Sequence, residues 1–377
     1  MRWLFVVLLL TPVPASALPN MIRLGYGNCI SCHVAPQGGG LLTAYGRGID
    51  DAQSLRAREY EPHSNHVLNL LSLNGHIDQD ARVIPSIQLN HSPGGPYVGV
   101  DKFRLFYRNV TTLGKGVRVS AIAEIENETT PRKPRAYDPA IRPGHVLFTS
   151  ALLQYRPKDG IEFAAGRDAL PTGLNIPDQT TFIKARNRAG YYDTPTQVKA
   201  FLWGKRWLVA PYAFAPGGHE PATSREKGEG IMAEYDVFGR GTTIVGINSL
   251  RGSDHIGHRA MSGAYTRLGF GKWGILAEHD LTLRRLSEAN GGAAFWQRVS
   301  YLQLFYYPRE WFAVAAVTER ATVQRPYLEN LSAYKGELSM RLSSNFTIVV
   351  RGGIQRDALT GVLTPIASAQ LAVKSVN

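Results

Sequence analysis

The stretch AYKGELSMRL, residues 333–342, changes character at every step. Tyr334, Leu338, Met340 and Leu342 fall on one side of an extended chain, and Lys335, Glu337, Ser339 and Arg341 on the other. Successive side chains of a strand point to opposite faces, so this spacing builds a sheet with one apolar and one polar face. The same period of two recurs along the chain. In KGVRVSAIAEIE (115–126), Val117, Val119, Ala121, Ala123 and Ile125 oppose Arg118, Ser120, Glu124 and Glu126. EGIMAEYDV (229–237) sets Ile231, Ala233, Tyr235 and Val237 against Glu234 and Asp236, and LNGHIDQDARV (73–83) begins the series.

The connections between these segments carry the stronger signal. Seven are very short: 113–116, 156–160, 204–206, 238–241, 269–272, 308–310 and 343–345. Longer polar segments rich in Gly and Pro separate them, at 90–101, 127–145, 168–195, 215–228, 251–259, 282–295, 320–331 and 356–364. Strict alternation of short turns and long loops is the habit of transmembrane barrels, which a hydropathy scan for helices does not register. The tryptophans agree. Trp203 and Trp207 flank one short turn, Trp273 and Trp311 follow two others, and Trp296 stands at the opposite end of its strand. Indole rings gather where an apolar band meets water. The expected fold is all-β: a transmembrane antiparallel β-barrel of about sixteen strands over 72–377.

The chain ahead of the barrel is different. Residues 1–17 have a basic start, an apolar core from Trp3 to Leu10 and a small-residue Ala15-Ser16-Ala17 site, which together read as a secretory signal peptide. Residues 18–71 are irregular or weakly helical and hold the only two cysteines among 377 residues. Cys29, Cys32 and His33 spell C-x-x-C-H, the spacing that attaches a c-type haem: two thiols add to the vinyl groups and an imidazole sits beneath the iron. A disulfide or a redox dithiol is the competing reading of the two thiols in an exported chain. On the haem reading Cys29 and Cys32 hold one covalent haem c and His33 is an axial ligand. His66, then His63 and His76, are the candidates for the sixth position, with Met21 less favoured. An open sixth site would instead suit a catalytic or gas-binding haem.

Lys and Arg outnumber Asp and Glu by 42 to 30, giving +12. An exported chain does not meet nucleic acid, so the basic balance points to phosphate-bearing lipid headgroups or anionic solutes. The longest connection, RDALPTGLNIPDQTTFIKARNRAGYYDTP, either folds into the pore or forms an ordinary outer loop. In the first case Asp178, Lys184, Arg186 and Arg188 line a constriction. There is no G-x-S-x-G, H-E-x-x-H or phosphate-binding glycine loop. HIGH at 255–258 falls in a loop and reads as coincidence, though His255 and His258 could hold a metal.

The order of signal peptide, CISCH, GGGLLTAYGRG and about sixteen strands resembles the fused monohaem cytochrome c–porins of bacterial outer membranes, a group that includes outer-membrane iron oxidases. The resemblance spans the chain in architecture and residues 26–50 in motif, and its haem-binding positions map onto Cys29, Cys32 and His33. It implies an outer-membrane electron-transfer protein, with the haem segment on the periplasmic side or in the barrel lumen. Its implied partners are an extracellular donor such as Fe(II), periplasmic carriers such as soluble cytochromes, and outer-membrane lipid. A solute porin plugged or gated by the haem-bearing segment is the alternative.

Overall fold

The computed structural model describes residues 19–33, 36, 42–55, 77–92, 95–128, 146–176, 181–190, 194–217, 225–324, 326–343, 346–356 and 361–376; at 19–20, 44, 47, 51, 77–92, 95–108, 123–128, 146–149 and 372–376 it describes the backbone alone. Sixteen strands among these residues form one closed antiparallel barrel in which sequence neighbours are spatial neighbours. The first half comprises β1 (Ile77–Ser92), β2 (Gly95–Gly114), β3 (Val117–Glu128), β4 (Val146–Lys158), β5 (Ile161–Arg167), β6 (Thr196–Trp203), β7 (Trp207–Ala215) and β8 (Lys227–Asp236). The second half comprises β9 (Thr243–Ser253), β10 (Gly257–Phe270), β11 (Trp273–Leu286), β12 (Ala294–Arg309), β13 (Phe312–Val323), β14 (Glu329–Arg341), β15 (Phe346–Arg356) and β16 (Leu363–Val376). Closure runs from Asp80↔Val376 to Leu89↔Ala367, so neither terminal strand is left as an edge.

The alternation read from the sequence is present, with the sense of burial reversed from that of a water-soluble protein. On β14, Tyr334 (54 % exposed) and Leu338 (42 %) face outward, whereas Glu337 (6 %) and Ser339 (3 %) face the interior. Ile231 and Tyr235 face out on β8, and Asp236 is buried. An apolar exterior around a polar interior is what hydrocarbon surroundings demand of a barrel, since every backbone group is already paired. Trp207, Trp273 and Trp296 lie on the outward face, near strand ends.

All seven short connections fall between the expected strands; of 343–345 only Ser343 is among the described residues. One of the two-residue turns, at 115–116, has positive φ at both Lys115 (46°) and Gly116 (81°), the mirror-image turn that matches strand twist. Two of the expected long loops are corrected. Only 93–94 separate β1 from β2, and only 254–256 separate β9 from β10. The Asp254 carboxylate accepts from the backbone N–H groups of Ile256 (2.8 Å) and Gly257 (3.0 Å), which closes that hairpin in three residues. Gly, Ser and His were read as loop markers there. In a hairpin the partner strand supplies their hydrogen bonds, and they continue the ladder instead. His255 and His258 sit at this tight hairpin, and no cluster of three or more His, Cys, Asp or Glu side chains that could hold a metal occurs among the described residues.

Candidate functional site

Two segments enter the barrel. The first is the connection after β5. Its start is pinned by Lys199, whose ammonium meets the Asp168 carboxylate at 2.6 Å, and by the Gln197 amide, which donates to the carbonyl of Asp168 at 2.6 Å. The loop then crosses the lumen and presses on the opposite wall. Its backbone N–H at Leu174 donates to Glu278 (2.7 Å), and the N–H of Phe182, first residue of the one-turn helix α2 (Phe182–Ala185), donates to Glu319. Asn187 donates to Asp280 at 2.6 Å, and the Arg186 carbonyl accepts from Gln297 and Arg284. Leu174, Ile176, Phe182 and Ile183 join wall residues Phe201, Val299 and Tyr301 in one buried cluster.

The inward-folding reading of this loop is therefore correct, but its basic residues do not line open water. Lys184, Arg186 and Arg188 are 4 %, 5 % and 6 % exposed. Arg186 pairs with Glu329 at 3.0 Å and Arg188 with Asp254 at 3.4 Å. Burial pushes the Lys184 ammonium below its usual range, opposed by Glu278 and Asp280. Burial would raise the Glu226 carboxyl, yet Arg259 and Arg188 beside it hold it below the ordinary value. Asp178 lies outside the described residues.

The second segment is N-terminal and carries C-x-x-C-H. The Asn28 side chain accepts from the Ile30 N–H at 3.1 Å and starts a turn of helix. The backbone N–H groups of Cys32 (3.2 Å) and His33 (2.9 Å) both donate to the Cys29 carbonyl, so Cys29, Cys32 and His33 share one side of the turn at positions i, i+3 and i+4. A bridge between His33 and Leu42 returns the chain to helix α1 (Ala44–Ala52). Thr43 caps that helix, its hydroxyl accepting from the Gly46 N–H at 3.1 Å. Gly46 is obligatory at this contact, because a Cβ there would lie 2.2 Å from the Cys32 carbonyl oxygen. Neither cysteine is in a disulfide, and burial followed by the neighbouring Cys29 raises the Cys32 thiol above its usual range.

This turn is seated on the short-turn rim of the barrel. Arg23 ion-pairs with Glu310 after β12, and its guanidinium lies 4.6 Å from the centre of the Tyr307 ring. Gly269 lets the Arg23 backbone lie against β10, since a Cβ would come within 2.5 Å of it. Gly27 packs in the same way on Gly241 of the turn after β8. On the far side of the segment Asp50 pairs with Arg341, and the Leu55 N–H donates to the Arg341 carbonyl at 2.8 Å. Between these anchors Arg267 donates to the Cys29 sulfur at 3.2 Å while holding Glu234 at 2.5 Å; Tyr265 donates to the same carboxylate at 3.0 Å.

Of the residues singled out in the sequence, Cys29, Cys32 and His33 are brought together. His63, His66 and His76 lie outside the described residues. Met21 is half-buried, its sulfur accepting from the Gln53 amide at 3.5 Å. The Arg267–Glu234–Tyr265 group was not anticipated. Alternation along β8 and β10 assigns all three to the inward face, but nothing in the linear pattern says that they meet a segment more than 200 positions earlier.

No protein-family model matches the chain, and no curated protein matches it. Solved structures do resemble it. A loop-deletion form of OmpT from Vibrio cholerae superposes with a TM-score of 0.58 at 10 % identity, over 79 % of this chain and 99 % of that one. The anion-selective porin from Comamonas acidovorans gives 0.56 at 11 % identity over 80 % and 99 %, and Salmonella typhi OmpF 0.59 at 7 % over 79 % and 97 %. The fold is thus that of porin-type barrels.

Proposed function

We propose that this chain is an outer-membrane electron-transfer protein, a monohaem cytochrome c segment fused to a porin-type barrel. The observation that carries the reading is the C-x-x-C-H turn seated on the short-turn rim, with both thiols outside any disulfide. Two thiols and an imidazole on one side of a single turn are the donor set that a c-type haem requires. Cys29 and Cys32 would hold it covalently and His33 would ligate its iron. Bound there, it supplies one-electron redox chemistry.

The chain's own residues supply position. Asn28 and the Cys29 carbonyl fix the turn, Gly46 lets helix α1 close over Cys32, and Arg267 keeps Cys29 against the barrel wall. In porin-type barrels short turns face the periplasm and long loops face outward. The turn would then be reachable by soluble periplasmic cytochromes, and the lumen would separate it from an extracellular donor such as Fe(II). A bilayer is about 40–45 Å thick including headgroups, so a redox centre inside a passage shortens the distance an electron must cover.

The test has two readouts. Denaturing gels stained for haem peroxidase activity are expected to show a covalent band that C29S/C32S removes. Outer membranes supplied with ferrous iron are expected to show haem reduction in the absorbance spectrum, abolished in His33→Ala. No band defeats the cytochrome reading. A band without reduction by iron removes iron as donor and leaves electron transfer with another donor.

The inward loop favours a second reading, a solute porin whose lumen is narrowed by the loop and whose rim segment serves as a plug. Steady ion conductance of the full chain in a planar bilayer would select it over a sealed conduit.

A further inference from the structure

The outward face of β9–β15 is sorted by charge in a way that neither electron transfer nor solute passage requires. Every Asp and Glu on these strands points inward: Glu278, Asp280, Glu319, Glu329 and Glu337 are all buried. Five arginines on the same strands are exposed on the outside, Arg251, Arg285, Arg298, Arg320 and Arg356, and all five lie toward the long-loop ends. Among the described residues no carboxylate pairs with any of them.

Their spacing is close. Arg298 is opposite Thr322, and Arg320 is opposite Ser300, so the two arginines are diagonal neighbours, about 7–8 Å apart at their Cβ atoms. Arg320 and Arg356 flank Ser332 on a single row, two strand spacings or roughly 10 Å apart. Like charges at such positions repel, so an uncompensated row costs stability unless an anion lies over it. Trp296, exposed two positions from Arg298 on β12, marks this level as an interface between apolar band and water. Lower on the same face, small side chains at Ala233, Ala264 and Ala277 leave a groove of about 610 Å³ edged by Tyr235 and Ile247. It lies along β9 below Arg251.

We infer that these five arginines form a recognition surface for the phosphate groups of an anionic membrane lipid in the leaflet on the long-loop side, with an acyl chain lying in the groove. The inference rests on the reading of the chain as a membrane barrel and is independent of the haem. Guanidinium forks match phosphate oxygens in pairs, which suits a headgroup carrying more than one phosphate. A basic side chain near an anionic membrane surface contributes about 1 kcal/mol, so each arginine is expected to raise retention of the lipid about fivefold.

The test uses the full chain in detergent micelles doped with bis-phosphorylated lipid A, with its dephosphorylated form, or with phosphatidylcholine. Lipid co-eluting with the barrel is measured after gel filtration. The expected result is preferential retention of the phosphorylated lipid, weakened by salt and reduced at least tenfold in R298Q/R320Q/R356Q. Heat-modifiable gel mobility checks that the variant still forms a barrel; if it does not, R320Q alone is expected to show the fivefold loss. Equal retention of all three lipids, or unchanged retention in a folded variant, overturns the inference. So does complete displacement by inorganic phosphate at an ionic strength where chloride leaves the lipid bound, which would mark a site for the free anion with no lipid preference, or a wild-type dimer that the variant dissolves, which would mark a subunit interface.

Discussion

Glu319→Ala is expected to release the lumen loop without opening the barrel. The Glu319 carboxylate is 1 % exposed, accepts from the Phe182 N–H at the start of α2 and meets the Lys335 ammonium at 2.5 Å. A hydrogen bond to a charged acceptor contributes about 1.5–3 kcal/mol, and breaking a buried ion pair costs about 3–5 kcal/mol. The two share one carboxylate, so they do not add. Lys335 is 12 % exposed and can turn toward lumen water, which places the loss near the lower figure, about 3 kcal/mol. Leu174 on Glu278, Asn187 on Asp280 and Arg186 on Glu329 still hold the rest of the loop, so the loss falls on local detachment of α2. That corresponds to a rise of about 100-fold in the detached population. Trypsin reads it at Lys184, which lies in α2, is 4 % exposed and becomes cleavable only off the wall. Where reclosing outruns cleavage, the rate follows the open population. Glu319→Gln keeps an acceptor for the Phe182 N–H and drops the ion pair, so its rate should fall between the two. Equal cleavage of Glu319→Ala and wild type, both with native heat-modifiable mobility, would refute the wall-anchoring argument.

Other outcomes follow from the same structure. Glu162 is fully buried and accepts from Arg118 (2.6 Å), Gln154 (2.9 Å) and Arg156 (2.9 and 2.6 Å), so Glu162→Ala should lower barrel stability by about 3–5 kcal/mol, read as an earlier heat-modification midpoint. Gly269→Val places side-chain atoms where the Arg23 backbone lies, and overpacking of about 1–3 kcal/mol should raise hydrogen exchange across residues 19–33 about 5- to 150-fold; unchanged protection would count against the rim seat. The Glu226 carboxyl is depressed on folding, so its contribution is complete above the ordinary value of 4.5 and is lost as pH falls through the lower folded value. The heat-modification midpoint should therefore fall at acid pH below that range, and Glu226→Gln should flatten that part of the profile.

The strand pattern was legible because barrel alternation is local. AYKGELSMRL contains everything needed to assign one face to an apolar medium and the other to the lumen, and the partner strand changes nothing in that assignment. The turns were legible for the same reason, since Lys115-Gly116 answers a local demand for positive φ. Loop lengths at 93–94 and 254–256 were misread because a glycine or histidine in a hairpin arm obeys its partner's ladder and not its own propensity. That Cys29, Cys32 and His33 lie together was legible as well, since three residues on one helical turn need nothing distant to bring them together.

Where that turn sits, and what the loop does, belonged to the tertiary structure. RDALPTGLNIP reads equally well as a loop outside or inside the barrel. The choice falls inward because Glu278, Asp280 and Glu319 offer buried acceptors to the loop's backbone and side chains across 93 to 137 positions. Arg23 finds Glu310, and Cys29 finds Arg267, only once sixteen strands have closed and brought their short turns into one rim. Alternation decides which way each side chain points. Ring closure decides what it meets there, because the partners lie on strands whose distance in space is set by the circumference and not by the sequence.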